Sequence, residues 1–269
     1  MITSTGNSQV REVSALAKKA KERREQGLFI VEGAKMFSEL PKDRLKKAYV
    51  SENFLKQLKH QNKNAEEFFA GRPAETVSDD VMKYMSDTQT PQGILAVAEQ
   101  FSYSISDILP EKEAGEKKIP HVVVLESLQD PGNLGTILRA GEGAGITGVI
   151  MNRETADIYN PKVIRSTMGS IYRVPFVYTE DLGVALLLMK KAGIRLFAAH
   201  LKGEHNYEEE DYRSGTGFLI GNEAKGLSDE ISALADCYVK IPMLGQVESL
   251  NAAVAASILM FETARQRRN

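Results

Sequence analysis

From His121 onward the chain alternates short apolar runs with stretches of helical periodicity, and few folds accept such a pattern. His121-Val122-Val123-Val124-Leu125 is a nearly continuous apolar run, as expected of a strand buried on both faces. Further strands are expected at 148–151, 173–177, 195–199, 217–220 and 238–241, with helices at 134–144, 161–169, 181–192, 228–235 and 249–265. Strands joined through helices run parallel. The expected class is α/β, a mostly parallel sheet with helices on both faces.

Polar and glycine residues gather where three of these strands end. The first group is Asn133-Leu134-Gly135-Thr136-Ile137-Leu138-Arg139, after the turn Asp130-Pro131-Gly132. Asn133 is suited to capping a helix whose core face is Leu134, Ile137, Leu138 and Gly141. Arg139 lies off that face. It is either a surface arginine paired with Glu142 at i+3 or a planar fork for a phosphate, and spacing does not choose. The second group, Gly221-Asn222-Glu223-Ala224-Lys225-Gly226, follows Phe218-Leu219-Ile220. A generic turn accounts for the glycines but not for a carboxylate and a carboxamide at a buried strand end. The third is Ile241-Pro242-Met243, followed by Ser249-Leu250-Asn251. Pro242 ends the ladder, Met243-Leu244-Gly245 offers apolar side chains fit to flank an adenine, and Ser249 is a natural N-cap. In open α/β sheets the carboxyl edge is where ligands bind.

Composition bounds the rest. With 269 residues and 42% hydrophobic content, the chain can build a sizeable core, and its length favours two domains. A net charge of −2 argues against a generic polyanion binder. Cys237 is the only cysteine, which excludes an intrachain disulfide and points to a reducing compartment. The four histidines show no ligand spacing, so no metal is expected. Charges from Arg11 onward leave no signal-peptide core, and the apolar stretch 252–261 is too short to span a bilayer. The expectation is a soluble cytoplasmic protein.

Residues 1–100 read as a small α/β domain, with one helix over 8–25, a strand at 28–31, a short strand at 48–50, a helix capped by Ser78 and a strand at 93–98. A basic stripe runs along the first helix (Arg11, Lys18, Lys19, Lys21, Arg23, Arg24), and Lys18 and Arg23 are its candidate RNA contacts. Residues 101–120 carry Ser, Asp, Pro, Glu, Lys and Gly with little periodicity and read as a linker. The second domain is 121–269.

Gly143-Ala144-Gly145-Ile146-Thr147-Gly148 matches the glycine spacing of a dinucleotide fingerprint. That motif works only when it follows a strand and opens a helix. Here the glycines end a helix and begin a strand, so the reading is a helix stop and a tight turn.

Taken together and in order, the three groups resemble the SpoU (TrmH-type) family of RNA ribose 2′-O-methyltransferases, within the SPOUT superfamily. The resemblance covers roughly residues 121–265. Phe29-Ile30-Val31-Glu32-Gly33 and Thr90-Pro91-Gln92-Gly93-Ile94 suit the ribosomal-protein-like substrate-binding domain often found in front. It implies a C-terminal trefoil knot, a homodimer and S-adenosylmethionine as methyl donor. It also implies that Gly221, Ile241, Met243 and Leu250 line the donor pocket, with Leu201 as a further candidate. Asn133, Arg139, Glu223, Ser249 and Asn251 match the family's catalytic set. Lys162 and Arg165, on a helix opened by Asn160-Pro161, are candidate contacts for RNA phosphates. The substrate expected is rRNA before tRNA. The alternative is an RNA-binding ribosome-assembly factor with a silent donor site.

Overall fold

The computed structural model describes residues 1–62, 64–109, 119–201, 203 and 205–268. The chain divides into two compact units, Met1–Phe101 with Asp157–Tyr172, and Ser102–Ala156 with Arg173–Asn269. The stretch Asp157–Tyr172, expected within the second domain, belongs to the first unit. Among the described residues, no helix is long and apolar enough to cross a membrane.

The first unit is built on β1 (Leu28–Glu32), β2 (Leu45–Ser51), β3 (Glu75–Val77) and β4 (Ile94–Glu99), in the order β1-β4-β2-β3. β4 is antiparallel to both neighbours, and β3 joins β2 in parallel. Ser78 caps the helix Asp79–Met85 as its sequence foretells, accepting from the Val81 amide. The expected single helix over 8–25 is instead two, Ser8–Lys18 and Ala20–Gln26, broken at an extended Lys19. The break lets Arg23 fold back. Its guanidinium donates to the carbonyls of Leu16 and Ala17 and reaches Asp157 Oδ2 at 2.7 Å, with only 3% of its surface exposed. Arg23 is thus a buried structural cation, and its expected RNA contact is corrected.

The helix Pro161–Thr167 packs on β1. Tyr159 sits 4.9 Å from the Phe29 ring, and its hydroxyl bonds both the amide and the carbonyl of Phe101. Tyr172 donates to the Met36 carbonyl at 3.0 Å. Buried apolar and aromatic groups therefore bind this excursion to the first unit.

The second unit holds β5 (His121–Leu125), β6 (Gly148–Asn152), β7 (Phe176–Thr179), β8 (Arg195–Ala199), β9 (His205–Asn206), β10 (Thr216–Ile220) and β11 (Cys237–Lys240). The order is β7-β6-β5-β10-β8-β11-β9, and every pairing is parallel. β9 carries no sequence signal, since two residues cannot show a period. On one face Val122, Val124, Leu196, Ala198 and Leu219 pack with Ile108 and the helix Leu182–Lys191. The C-terminal helix Ala252–Arg267 packs on β10 and on the helix Pro131–Ala144.

Part of the expected linker is structure rather than tether. Ser104 and Asp107 form a capping box for the short helix Ile105–Ile108. Ile108 is buried against Gly148, where a Cβ would clash at 2.6 Å. Residues 110–118 of that linker lie outside the described residues.

Candidate active site

β5, β10, β8 and β11 are adjacent in the sheet, so the loops after them leave one carboxyl edge together. The first polar group of the sequence lies in the helix that follows β5, and the other two ride on the loops after β10 and β11.

Asp130, not Asn133, caps the helix Pro131–Ala144, accepting from the Asn133 amide at 2.8 Å. Asp-Pro at cap and first helical position is a signal legible in the sequence. With the cap filled, Asn133 falls inside the first turn and its side chain is released to the neighbouring loop.

That loop is closed by its own backbone. Asn222 and Gly226 exchange amide–carbonyl hydrogen bonds at 3.0 and 2.9 Å, and Asn222 Oδ1 accepts from the amides of Ala224 and Lys225. A Cβ on Gly221 would lie 2.1 Å from the Gly226 carbonyl carbon, so only glycine permits this turn. The turn presents Glu223. One carboxylate oxygen accepts from the Asp130 amide at 2.9 Å and from Asn133 Nδ2 at 3.0 Å; the other accepts from the Gln129 amide at 3.1 Å. Burial raises the Glu223 carboxyl, but the amides of Asp130 and Gln129 with Asn133 outweigh it and hold it below the usual carboxylate range. The carboxylate also lies at the positive end of a helix.

The third loop supplies Asn251. It is Asn251, not Ser249, that caps the C-terminal helix, accepting from the amides of Ala253 and Val254. This explains a poor helix former at that position. Its Nδ2 donates to Asn133 Oδ1 at 2.9 Å. Glu223, Asn133 and Asn251 thus form one hydrogen-bonded chain. Arg139 extends from the same helix as Asn133, exposed and outside that chain. Its supposed partner Glu142 pairs with Arg173 instead, and among the described residues Arg139 takes no ion pair.

A cavity of about 920 Å³ opens beside this chain. Its lining includes all five expected donor-pocket residues, Leu201, Gly221, Ile241, Met243 and Leu250, with Glu223 and Ser249. Leu201, Leu244 and Val247 are exposed apolar side chains in the loops around it. The volume and mixed lining suit a ligand with an adenine and a polar tail. Glu126, just after β5, ties that strand end to the chain beyond the Glu223 turn by accepting from the Ser228 amide and hydroxyl at 2.8 and 2.6 Å.

The expected RNA cations lie in the first unit. Lys18 is exposed, 4.9 Å over the Tyr84 ring, and Lys162 is exposed on its helix. Arg165 is half-buried with its guanidinium 2.9 Å from Asp87, so that ion pair competes with any phosphate.

At the amino end of β11, donor atoms of His205, Glu210 and Cys237 lie within 4.8 Å of one another. Arg195 already sits 2.8 Å from Glu210. Burial, then the hydrogen bond to Glu210, pushes the Cys237 thiol up to about 11. Glu210 is thus the centre of an ion-paired cluster, with Arg195 at its carboxylate and the Cys237 thiol donating to it.

Known proteins resemble this chain in sequence and fold. The profile of the SpoU rRNA Methylase family matches residues 120–261, and that of the MRM3-like substrate binding domain matches residues 7–96. The 23S rRNA (guanosine(2553)-2′-O)-methyltransferase RlmP of Bacillus subtilis is 30% identical over 97% of both chains. Among solved structures, an AdoMet-bound rRNA methyltransferase from Sinorhizobium meliloti is 30% identical, with a TM-score of 0.79 over 98% of this chain and 97% of its own. The SpoU methyltransferase AviRb of Streptomyces viridochromogenes, in complex with AdoMet, is 26% identical, with a TM-score of 0.82 over 98% and 99%. The motifs, the parallel sheet and these matches agree: the chain belongs to the SpoU rRNA methylase family.

Proposed function

We propose that the chain methylates the 2′-hydroxyl of a ribose in ribosomal RNA, with S-adenosylmethionine as donor. The observation that carries this reading is the Glu223–Asn133–Asn251 chain at the edge of the cavity. Gly221, Ile241, Met243, Leu250 and Leu201 would hold the donor, the first of these through backbone that a side chain would block. When bound, S-adenosylmethionine supplies an electrophilic methyl group; methyl transfer of this kind calls for no metal. Glu223, Asn133 and Asn251 then keep two loops and a helix start in fixed register, so that the ribose is held in line rather than found by diffusion. Orientation of this kind supplies up to ~7–11 kcal/mol of a barrier. Ser249, on the cavity wall, helps seat donor and ribose.

Arg139 binds the substrate phosphate. Its guanidinium is a planar cation whose forked N–H donors fit phosphate oxygens. It therefore acts by charge, stabilising the developing alkoxide while water carries the proton away. Lys18 and Lys162 extend the RNA contact in the first unit. The proposal includes the threaded path of the C-terminal helix, a cytoplasmic location and a homodimer, the last supported by Val254 and Phe261, exposed one heptad apart on that helix.

The test is transfer of labelled methyl from donor to purified rRNA, read as a 2′-O-methyl nucleotide. Arg139→Ala is expected to reduce transfer at least a hundredfold while donor affinity by calorimetry is unchanged. Absence of both donor binding and transfer to any rRNA or tRNA would favour the assembly factor with a silent donor site instead.

A further inference from the structure

The loop that carries the Gln129 and Asp130 amides runs through Ser127, whose φ of 55° lies in the left-handed region. A serine holds that conformation only where its surroundings over-determine it. Here every polar group of the residue is gripped. The Ser127 amide donates to Asn152 Oδ1 at 2.8 Å, and Asn152 Nδ2 donates to Ser127 Oγ at 2.9 Å. The Ser127 carbonyl accepts from Asn222 Nδ2 at 2.8 Å. Asn152 is the last residue of β6, so the grip is anchored on the sheet. The hydroxyl of Thr155, a buried residue, donates to Asn152 Oδ1 at 2.8 Å, which sets the amide with its oxygen towards the Ser127 N–H.

We infer that Asn152 is a positioning residue for methyl transfer: with Asn222 it locks Ser127 in its left-handed turn and so aims the Gln129 and Asp130 amides at Glu223. The inference rests on the proposed function, because Glu223 belongs to its catalytic set. A polar cap at a strand end would need one hydrogen bond. Asn152 instead makes a two-point contact to a strained residue, and Asn222 from the catalytic loop takes the third point. The ends of β5, β6 and β10 are tied at one serine. The strand end of β6 bears none of the three sequence motifs, yet through this contact it sets their geometry.

Asn152→Ala is expected to lower kcat at least tenfold, with donor affinity unchanged and Tm within a few degrees of wild type. Glycine holds a positive φ without a grip, so Ser127→Gly added to Asn152→Ala should restore most of the lost kcat. Wild-type kcat in Asn152→Ala, no rescue in the double variant, or a loss that tracks the unfolded fraction would each overturn the inference. Hydrogen exchange at the Gln129 and Asp130 amides reads the same clamp without turnover. Asn152→Ala should speed it and the double variant slow it again. Unchanged exchange overturns the clamp even if the enzyme methylates RNA. The expected pattern supports the clamp even if wild-type protein transfers no methyl group, an outcome that would sink only the proposed reaction.

Discussion

The carboxamides of Asn251 and Asn133 meet at 2.9 Å across 118 residues of sequence, and each also serves a second partner. Asn251 uses its oxygen for the amides of the C-terminal helix and its nitrogen for Asn133; Asn133 uses its oxygen for Asn251 and its nitrogen for Glu223. The dipoles line up from helix cap to carboxylate, and no member can be turned over without setting like atoms face to face. Such chains are worth more than their separate bonds.

Asn251→Asp and Asn251→Ala therefore part company. Aspartate keeps the cap but cannot donate to Asn133. It is expected to hold Tm near wild type and cut kcat at least tenfold. Alanine loses both functions, with a stability loss of about 1 kcal/mol from the cap. Thermal melts beside a turnover assay check the pair; a fully active Asn251→Asp would refute a role for the donated bond.

Glu223→Gln replaces an acceptor-only group with one whose amide nitrogen faces N–H donors. Activity is expected to fall at least tenfold. The acid limb changes too. The Glu223 carboxyl is lower folded than unfolded, so its contribution is present above the ordinary carboxylate value, about 4.3, and is lost as pH falls through the depressed value. Urea midpoints taken from pH 6 downward should drop less steeply for Glu223→Gln than for wild type.

Arg23→Met removes one partner of a buried ion pair and leaves the carbonyls of Leu16 and Ala17 without a donor. A loss of about 3 kcal/mol in unfolding free energy is expected. RNA affinity per folded molecule should not change, which gel shifts on the folded fraction would measure. Lys18→Ala should do the reverse, sparing stability while weakening RNA binding most at low salt.

His121 is 1% exposed and its Nε2 has no hydrogen-bond partner. Burial, then the nearby charge of Arg267, pushes it down to about 3. The unfolded chain thus takes up a proton near pH 6.5 that the folded one refuses, so stability is full above that value and falls until about pH 3. His121→Leu should retain more stability at pH 4, by a margin on the order of several kcal/mol, visible in urea midpoints against pH.

What the sequence made legible follows from where the physics is local. The parallel sheet could be read because β5 and β10 are apolar at consecutive positions; the residues assigned to the donor came from the family resemblance, and they line one cavity. Cap positions were harder. Asn133 and Ser249 are good capping residues by type, but Asp130 and Asn251 hold the caps, and type cannot choose between candidates two or three residues apart. Arg23 looked like one cation in a stripe, and only the break at Lys19 buries it. Ser127 and Asn152 left no trace in sequence, since a serine in a left-handed turn is spelled like any other serine.

Asp157–Tyr172 has a consequence for how such proteins can be taken apart. By sequence it falls between two strands of the parallel sheet, but Phe29, Met36 and Phe101 are its neighbours. A fragment beginning at residue 102 would expose Ile158, Val163 and Ile171 to water, and one ending at 101 would bare the Phe29 face of β1. No single cut yields two soluble halves. Any chimaera that grafts a new front module onto this catalyst must exchange two stretches of chain at once.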